Sequence, residues 1–311
     1  WNKSCFSFDE MTNISLELRE VLKKDFVINH IKIDKIQKSI DGTIKNAVTL
    51  FDNLLVESVL IPVKNRTTAC ISSQVGCSLD CKFCATSKLK RIRNLNPDEI
   101  FDQASTINLQ SKFYYNRPIS NIVFMGMGEP LLNYINLIEG INKITSKDGL
   151  GMSPKRITVS TSGISKLIIK MADENVKFNL AVSLHSAVEK TRNKIMPFTI
   201  KFPLTDLKEA IKYWYNKTQK IVTYEYIVWK GINDDMNHIN ALVDFCKSSP
   251  SKVNIIEYNK TSNDFFISAD DSIIKKYIEE LESNRIPVTI RKSRGKDIDA
   301  ACGQLANKLK Q

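Results

Sequence analysis

The stretch "GCSLDCKFCATS", residues 76–87, places three cysteines within eight positions: Cys77, Cys81 and Cys84. Their spacing is Cys-x₃-Cys-x₂-Cys, and this loop contains no fourth cysteine or histidine. A structural zinc site normally takes four ligands as two pairs. Cubic iron–sulfur clusters are also held by closely spaced thiolates, normally four. Three thiolates would leave one iron open, as a catalytic centre requires. We therefore favour a cluster over a zinc loop that borrows a distant fourth ligand.

The total number of cysteines and the length of the chain indicate the redox compartment. The chain has 311 residues, enough for one large domain or a main domain with an appendage. The chain is too long for a small secreted disulfide scaffold, and its seven cysteines are an odd number. We predict a cytoplasmic protein whose thiols bind metal or take part in catalysis.

The charge balance indicates the partner. Lys and Arg number 45 and Asp and Glu 34, a formal net charge of +11. This surplus favours a polyanion such as nucleic acid, although a solvated lysine-rich surface fits equally well on composition alone. Two basic runs, "SKLKRIRNL" (87–95) and "RKSRGK" (291–296), are the candidate contacts. No apolar run is long enough to span a bilayer, so we expect no membrane partner.

The fold class follows from an alternating sequence pattern that begins near residue 68. Short apolar runs alternate with amphipathic stretches, and Asn96–Pro97 is a typical helix start. Strands alternating with helices predict an α/β fold with a parallel sheet that closes partly or fully into a barrel. Functional residues should then lie at the carboxyl ends of the strands. The predicted strands are "TACISSQ", "NIVFMG", "RITVST", "FNLAVSLH", "TYEYIVW", "VNIIEY" and "PVTIRK".

The first 67 residues have a different pattern. Residues 1 to about 30 have apolar residues at helical spacing, with Asn13 or Ser15 as the cap. Residues 45–64 are rich in β-branched residues, which predicts a hairpin.

Several predicted strands end in small or polar residues. "FMGMGEPL" (124–131) follows the second strand, and its glycines would let the backbone approach a ligand. "STSG" (160–163) and "SLH" (183–185) end the next two strands. Each alone could be a tight turn or a core histidine, and only their shared position favours a site. Cys302 follows the last strand beside cationic residues, which favour a thiolate nucleophile, with a buried structural cysteine as an equal alternative.

These motifs carry a family resemblance. The three-cysteine loop, with the aromatic Phe83 before its last cysteine, resembles the radical S-adenosylmethionine (SAM) superfamily. The combination of "RKSRGKDIDAACGQL" (291–305), "FMGMGEPL", "STSG" and Cys70 is similar to one branch of it. That branch is the dual-specificity rRNA and tRNA adenine C2-methyltransferases, and the likeness runs from about residue 1 to the end.

The resemblance implies a partial (βα)6-type barrel with a small N-terminal helical domain and a β-hairpin extension. Residues 1–40 would be the remnant of a helical RNA-binding accessory domain, and residues 41–67 the hairpin and linker. Residues 68–311 would form the barrel, including the C-terminal loop with the catalytic cysteine.

The resemblance also implies the cofactors. Cys77, Cys81 and Cys84 would hold a 4Fe-4S cluster, whose open iron binds SAM, two molecules being used per turnover. The implied SAM-binding residues are Gly128, Glu129, Ser160, Ser183, Leu184, His185 and Asn259.

The implied reaction explains two further cysteines. One SAM methylates Cys302, and a 5′-deoxyadenosyl radical from a second SAM takes a hydrogen atom from that methyl group. The methylene radical adds to adenine C2 and the C2 proton leaves. Cys70 then attacks Cys302, which releases the methylated RNA and leaves a disulfide. Glu57, thirteen residues before Cys70, matches the proton acceptor of the family, with an exposed strand residue as the alternative.

The implied partners are 23S rRNA, at the peptidyl transferase centre, and the tRNA anticodon loop, with an external electron donor, a thiol reductant and a monomeric enzyme. A C8-methylating resistance enzyme of the same mechanism is the nearest alternative. Pro130, Ser162 and the pair Arg294–Gly295 favour C2 by the resemblance. A non-catalytic RNA-binding metalloprotein is the alternative from another class.

Overall fold

The computed structural model describes residues 5, 7–261 and 265–307. The strands in this part of the chain are β1 (Lys32–Lys38), β2 (Ile44–Thr49), β3 (Leu55–Val63), β4 (Arg66–Cys70), β5 (Gln74–Val75), β6 (Arg93–Asn94), β7 (Asn121–Phe124), β8 (Ile157–Thr161), β9 (Asn179–Ser183), β10 (Val222–Ile227), β11 (Ser251–Ile256) and β12 (Val288–Arg291). The α-helices are α1 (Leu16–Asp25), α2 (Pro97–Tyr115), α3 (Tyr134–Thr145), α4 (Ser165–Asp173), α5 (Glu189–Ile195), α6 (Leu204–Thr218), α7 (Met236–Lys247) and α8 (Asp271–Ser283).

The predicted partial barrel is confirmed. Strands β4, β7, β8, β9, β10, β11 and β12 are neighbours in chain order, and each adjacent pair is parallel. At least one helix lies between each strand and the next, so six βα units lead to a final strand. Among the described residues β12 pairs only with β11, which leaves the barrel open on that side.

An antiparallel extension continues the sheet beyond β4. Strands β1, β2 and β3 pair in sequence, and β3 pairs with β4. The hairpin predicted at residues 45–64 is therefore confirmed as β2 and β3.

Among the described residues, the α-helix predicted over residues 1 to about 30 is limited to α1, and the predicted helical remnant at residues 1–40 also contains a strand. Ser15 caps α1 by accepting the N–H of Leu18, one of the two predicted caps, but the helix ends at Asp25. Residues 32–38 form an edge strand instead, because pairing with β2 satisfies their backbone groups. The strand begins and ends in lysine, which discourages edge-to-edge association. Residues 1–4 and 6, at the predicted helical start, lie outside the described residues.

Two apolar clusters form the core. The larger one lies between the sheet and its helices. The smaller one contains Leu79 and Cys81 from the cysteine loop, packed with Met196, Ile227 and Trp229. The cysteine loop is therefore anchored by its own apolar contacts. No helix among the described residues is long and apolar enough to cross a membrane.

The helix α7 begins at a side-chain cap beside the barrel. Asp235 accepts the backbone N–H of His238 at 2.9 Å and contacts its ring Nδ1 at 2.9 Å. The hydrogen bond from the His238 N–H lowers the pKa of Asp235 below its usual 3.8. The charged form of Asp235 thus stabilises the fold above pH 3.8, and this contribution is lost as the pH falls through the lowered pKa.

We expect Asp235→Ala to reduce the free energy of unfolding by about 1 kcal/mol at pH 7, because the cap is lost. Urea denaturation measures this difference, which should shrink at acidic pH. Asp244→Ala, at an exposed position in the same helix, is the control and should be neutral or slightly stabilising. Equal losses in both variants would contradict the role of the cap.

Candidate active site

The three predicted cluster ligands lie together. Cys77, Cys81 and Cys84 sit on the loop between β5 and β6, and all three line one cavity of about 150 Å³. The Cys77 N–H donates to the Leu89 carbonyl at 3.1 Å. Ser87 Oγ donates to the Cys84 carbonyl at 2.7 Å. Backbone hydrogen bonds within and beyond the loop therefore fix the direction of the thiols.

The donor set fits an iron–sulfur cluster. Burial raises the pKa of Cys77 to about 11 and that of Cys81 well above its usual range, and the neighbouring thiols and Glu129 raise both further. Coordination to a metal ion deprotonates such thiols outright. No three Cys, His, Asp or Glu side chains in residues 5, 7–261 and 265–307 close around a single ion position. Three separated thiols on one cavity suit a cluster, in which each thiolate binds its own iron.

The turn after β7 requires glycine at two positions. A Cβ on Gly126 would lie 2.7 Å from the Ile71 carbonyl oxygen. Gly128 has φ +95°, and a Cβ there would lie 2.5 Å from Cβ of Gln74. The two glycines therefore let this turn cross the chain that follows β4 at backbone distance, where both line the cavity.

Glu129 extends from this turn into the cavity. Its side chain is buried, and its carboxylate accepts the N–H groups of Ser162 at 2.8 Å and Leu131 at 3.1 Å. Burial raises its pKa, and these hydrogen bonds oppose the shift. A buried carboxylate that faces a cavity is suited to bind a cationic group.

The ends of β8 and β9 supply the next predicted residues. Ser160, Ser183 and His185 line the same cavity, but the side chain of Leu184 is buried away from it. His185 has φ +54°, and its Nδ1 accepts the Ile227 N–H at 3.2 Å. Burial lowers the pKa of His185 to about 3. The ring is therefore neutral, and its hydrogen bond assigns the remaining proton to Nε2.

Asn259 connects the cavity to the loop of Cys302. Its Nδ2 donates to the Cys302 carbonyl at 3.4 Å and to the Glu257 carbonyl at 3.3 Å. Its Oδ1 is buried and has no hydrogen-bond partner in the structure. A buried acceptor without a partner is costly, so a donor on a bound ligand would satisfy it.

The two predicted catalytic thiols lie close to each other. Cys302 is exposed and lines both the first cavity and a second one of about 610 Å³. Cys70, the last residue of β4, lines the second cavity. Burial raises the pKa of Cys70 to about 12, with a further increase from the charge of Cys302 and a decrease from Arg291. Both thiols are free.

Glu57 is not in either cavity. Its side chain is buried, pairs with Lys45 at 3.4 Å, and accepts the N–H groups of Ala306 and Asn307. The alternative of an exposed strand residue is wrong, since only 1% of Glu57 is exposed. The structure therefore does not bring the predicted proton acceptor to the reacting thiols.

Two charged residues of the site escaped the sequence patterns. Arg192 is buried and donates to the carbonyls of Ser162 at 2.7 Å and Ser183 at 3.0 Å, which ties the ends of β8 and β9 together. Glu225, in the middle of β10, lines both cavities. In the sequence, Arg192 resembles any other basic residue of an amphipathic helix. No pattern therefore distinguishes it from the basic residues at the surface. An acidic residue inside the apolar run "TYEYIVW" was the available signal for Glu225.

The second cavity has a basic lining. It runs along the inside of the barrel, and its lining includes Arg66, Lys252, Arg291, Lys292 and Arg294. One of the two predicted basic runs, residues 291–296, thus contributes directly.

The other basic run is placed differently. Arg93 is bound to Asp52 and Glu99, whereas Arg294 lies 4.0 Å from Asp41. Asp41 precedes β2 and Asp52 follows it, so these two arginines lie at opposite ends of that strand. Their contacts do not place the two runs on one rim.

Comparisons with known proteins agree with this site. The model of the radical SAM superfamily matches residues 71–243. A protein of Flavobacterium psychrophilum named a probable dual-specificity RNA methyltransferase RlmN is 65% identical over 99% of this chain and 89% of its own length. One of the same name from Thermus thermophilus is 38% identical over 99% of this chain and 86% of its own length. A solved radical SAM methyltransferase from Sphaerobacter thermophilus superposes with a TM-score of 0.94 at 33% identity, covering 98% and 89% of the two chains.

The fold and the three-thiol cavity thus define a radical SAM enzyme, in agreement with the matched superfamily model. Within that superfamily, the chain belongs to the family of dual-specificity RNA methyltransferases.

We expect Gly128→Ala to reduce the free energy of unfolding by about 3 kcal/mol, because the new Cβ overlaps Gln74 and the positive φ is strained. Gly151→Ala is a matched control, since Gly151 also has a positive φ but open space around it. It should cost about 1 kcal/mol. Urea denaturation of both variants tests the close approach, and equal losses would contradict it.

Proposed function

We propose that this chain methylates C2 of adenosine in RNA, in 23S rRNA at the peptidyl transferase centre and in the tRNA anticodon loop. The observation that carries the proposal is the position of Cys302. It borders one cavity lined by three thiols and a second lined by Cys70 and basic side chains. The names of the close relatives support an RNA substrate. Both RNAs and thiol reductants occur in the cytoplasm, the compartment that the cysteine usage also favours.

The first cavity would hold the cofactors. Cys77, Cys81 and Cys84 would bind a 4Fe-4S cluster, and the Glu129 carboxylate would accept hydrogen bonds from the amino group of SAM. The Asn259 Oδ1 that lacks a partner would accept a donor of the same molecule. When bound, these groups supply a transferable methyl group and the one-electron chemistry that removes a hydrogen atom from it. The proposal uses two SAM molecules per turnover and an external electron donor.

Cys302 would carry the methyl group. Its thiolate forms a sulfur–carbon bond as the carbon–sulfur bond of the sulfonium breaks. Arg291 lines both cavities together with Cys302, and the negative charge of the thiolate raises the pKa of Arg291. Adenine C2 has no lone pair for a direct displacement, so the carbon on Cys302 must be activated before it bonds to C2. The adduct must then lose the C2 hydrogen as a proton and one electron, which the one-electron chemistry of the bound cluster would take up.

Cys70 would release the product. Its thiolate attacks the Cys302 sulfur, and a disulfide forms as the bond between that sulfur and the transferred carbon breaks. The electron pair stays with the carbon, which takes up a proton and becomes the methyl group on C2. An external thiol then reduces the disulfide. The high pKa of Cys70 keeps it protonated and unreactive until this step.

The second cavity would receive the target nucleotide. Its basic lining suits a phosphate backbone. The adenine must leave its stack to reach Cys302, as base-modifying enzymes require.

The product test uses the protein with anaerobically reconstituted cluster, SAM, a reductant and unmodified large-subunit rRNA or tRNA. Mass spectrometry of the digested RNA should detect 2-methyladenosine. Detection of 8-methyladenosine would instead assign the enzyme to the C8 branch, and failure to assemble any cluster would contradict the radical reaction.

We expect Cys70→Ala to accumulate a covalent protein–RNA adduct and to yield little free methylated RNA, because no thiol can attack Cys302. Denaturing gel electrophoresis with labelled RNA measures the adduct. Cys302→Ala should give neither adduct nor product. Cys246→Ala is the control, since Cys246 is buried in α7 and lines neither cavity. An unchanged product yield in Cys70→Ala would contradict the resolving role.

A further inference from the structure

The antiparallel extension holds the loop of Cys302 from both sides. Upstream, Asp297 accepts the Ser39 hydroxyl at 2.5 Å and the Ile40 N–H at 3.1 Å. The Gly295 N–H donates to Asp41 at 2.9 Å. The loop therefore leaves β12 along the turn between β1 and β2.

The ends of the loop itself are bound by one ion pair. Lys45 Nζ donates to the Asp299 carbonyl at 3.4 Å. Glu57 Oε2 accepts the N–H of Ala306 at 2.7 Å and that of Asn307 at 3.1 Å. Cys302 lies three residues after the first anchor and four residues before the second.

The ion pair is built into the extension. Lys45 in β2 and Glu57 in β3 lie on one face, since Ala47 is opposite Glu57 and Lys45 is opposite Val59. Both side chains are at least 98% buried, with Nζ and Oε1 3.4 Å apart. A buried ion pair contributes little net stability compared with apolar residues of similar size. Net stability therefore does not account for this buried ion pair, whereas its contacts to the loop do.

We propose that Lys45 and Glu57 are positioning residues that clamp the Cys302 loop between the two cavities, and that Glu57 does not accept the C2 proton. The effect of the clamp on catalysis rests on the proposed function. The contacts between the ion pair and the loop are independent of that function, because neither side chain lines either cavity. The charge-assisted bonds from Glu57 fix the chain just after Cys302, and such bonds are stronger than neutral ones.

The test begins with the full chain without cofactors. In Lys45→Met/Glu57→Leu, the buried pair is replaced by apolar residues, a change that proteins often tolerate. Hydrogen exchange followed by mass spectrometry should show protection of residues 299–307 reduced about tenfold or more, since two hydrogen bonds are lost. Glu99→Gln, which alters the buried pair with Arg93, should leave this segment unchanged. Unchanged protection in the double variant would overturn the clamp.

A second variant separates the clamp from a proton acceptor. Lys45→Met/Glu57→Gln keeps an oxygen that can accept the N–H groups of Ala306 and Asn307. If the clamp holds, the Leu variant methylates Cys302 at least tenfold more slowly than the wild type without RNA. The Gln variant is slowed less, because it keeps the anchor at Ala306 and Asn307 and loses only the one at Asp299. If Glu57 is the proton acceptor, both variants methylate Cys302 normally and both fail after RNA adds. That result would overturn the proposal.

The two proposals can fail separately. Absence of Cys302 methylation in the reconstituted wild type would contradict the proposed function, whereas the exchange measurement would still decide whether Lys45 and Glu57 hold the loop.

Discussion

Parallel strand pairing is the constraint on which the site depends. Each parallel strand must be reached by a crossover, so the carboxyl ends of β4 and β7–β12 meet at one edge of the sheet. Residues separated by more than 200 positions in the chain, from Cys70 to Cys302, are thereby gathered around two adjoining cavities. The loops after these strands supply different chemical groups, and the parallel strands hold all of these loops at the same edge.

The buried charges inside this frame are bound largely by neutral main-chain groups. Arg192 is satisfied by strand-end carbonyls, and Glu129 by backbone N–H groups. Lys45 and Glu57 form an ion pair and bind the termini of the Cys302 loop. Because an unpaired buried charge is strongly unfavourable, each of these groups fixes the backbone that it binds. The geometry of the site is therefore set largely by main-chain contacts, which sequence motifs record only indirectly.

The sequence allowed the local features to be predicted. The strand runs, the hairpin of β2 and β3 and the three-cysteine loop depend on neighbouring residues, and the structure has them where they were expected. Contacts across the chain were not predictable in the same way. Glu57 is a strand residue whose partners, Ala306 and Asn307, lie 250 positions away, so no local pattern could show that it binds the C-terminal loop. Strand β1 was missed because its pairing with β2, rather than its own residues, decides its conformation.

The gap beside β12 has a consequence for how this side of the barrel is held. A closed barrel joins its first and last strands by a continuous ladder of backbone hydrogen bonds. Here β12 has no partner on its outer side among the described residues, and the loop that follows it binds the turn between β1 and β2 through Asp41 and Asp297. Movement of the chain that carries Cys302 therefore requires these side-chain contacts to break, but no strand ladder.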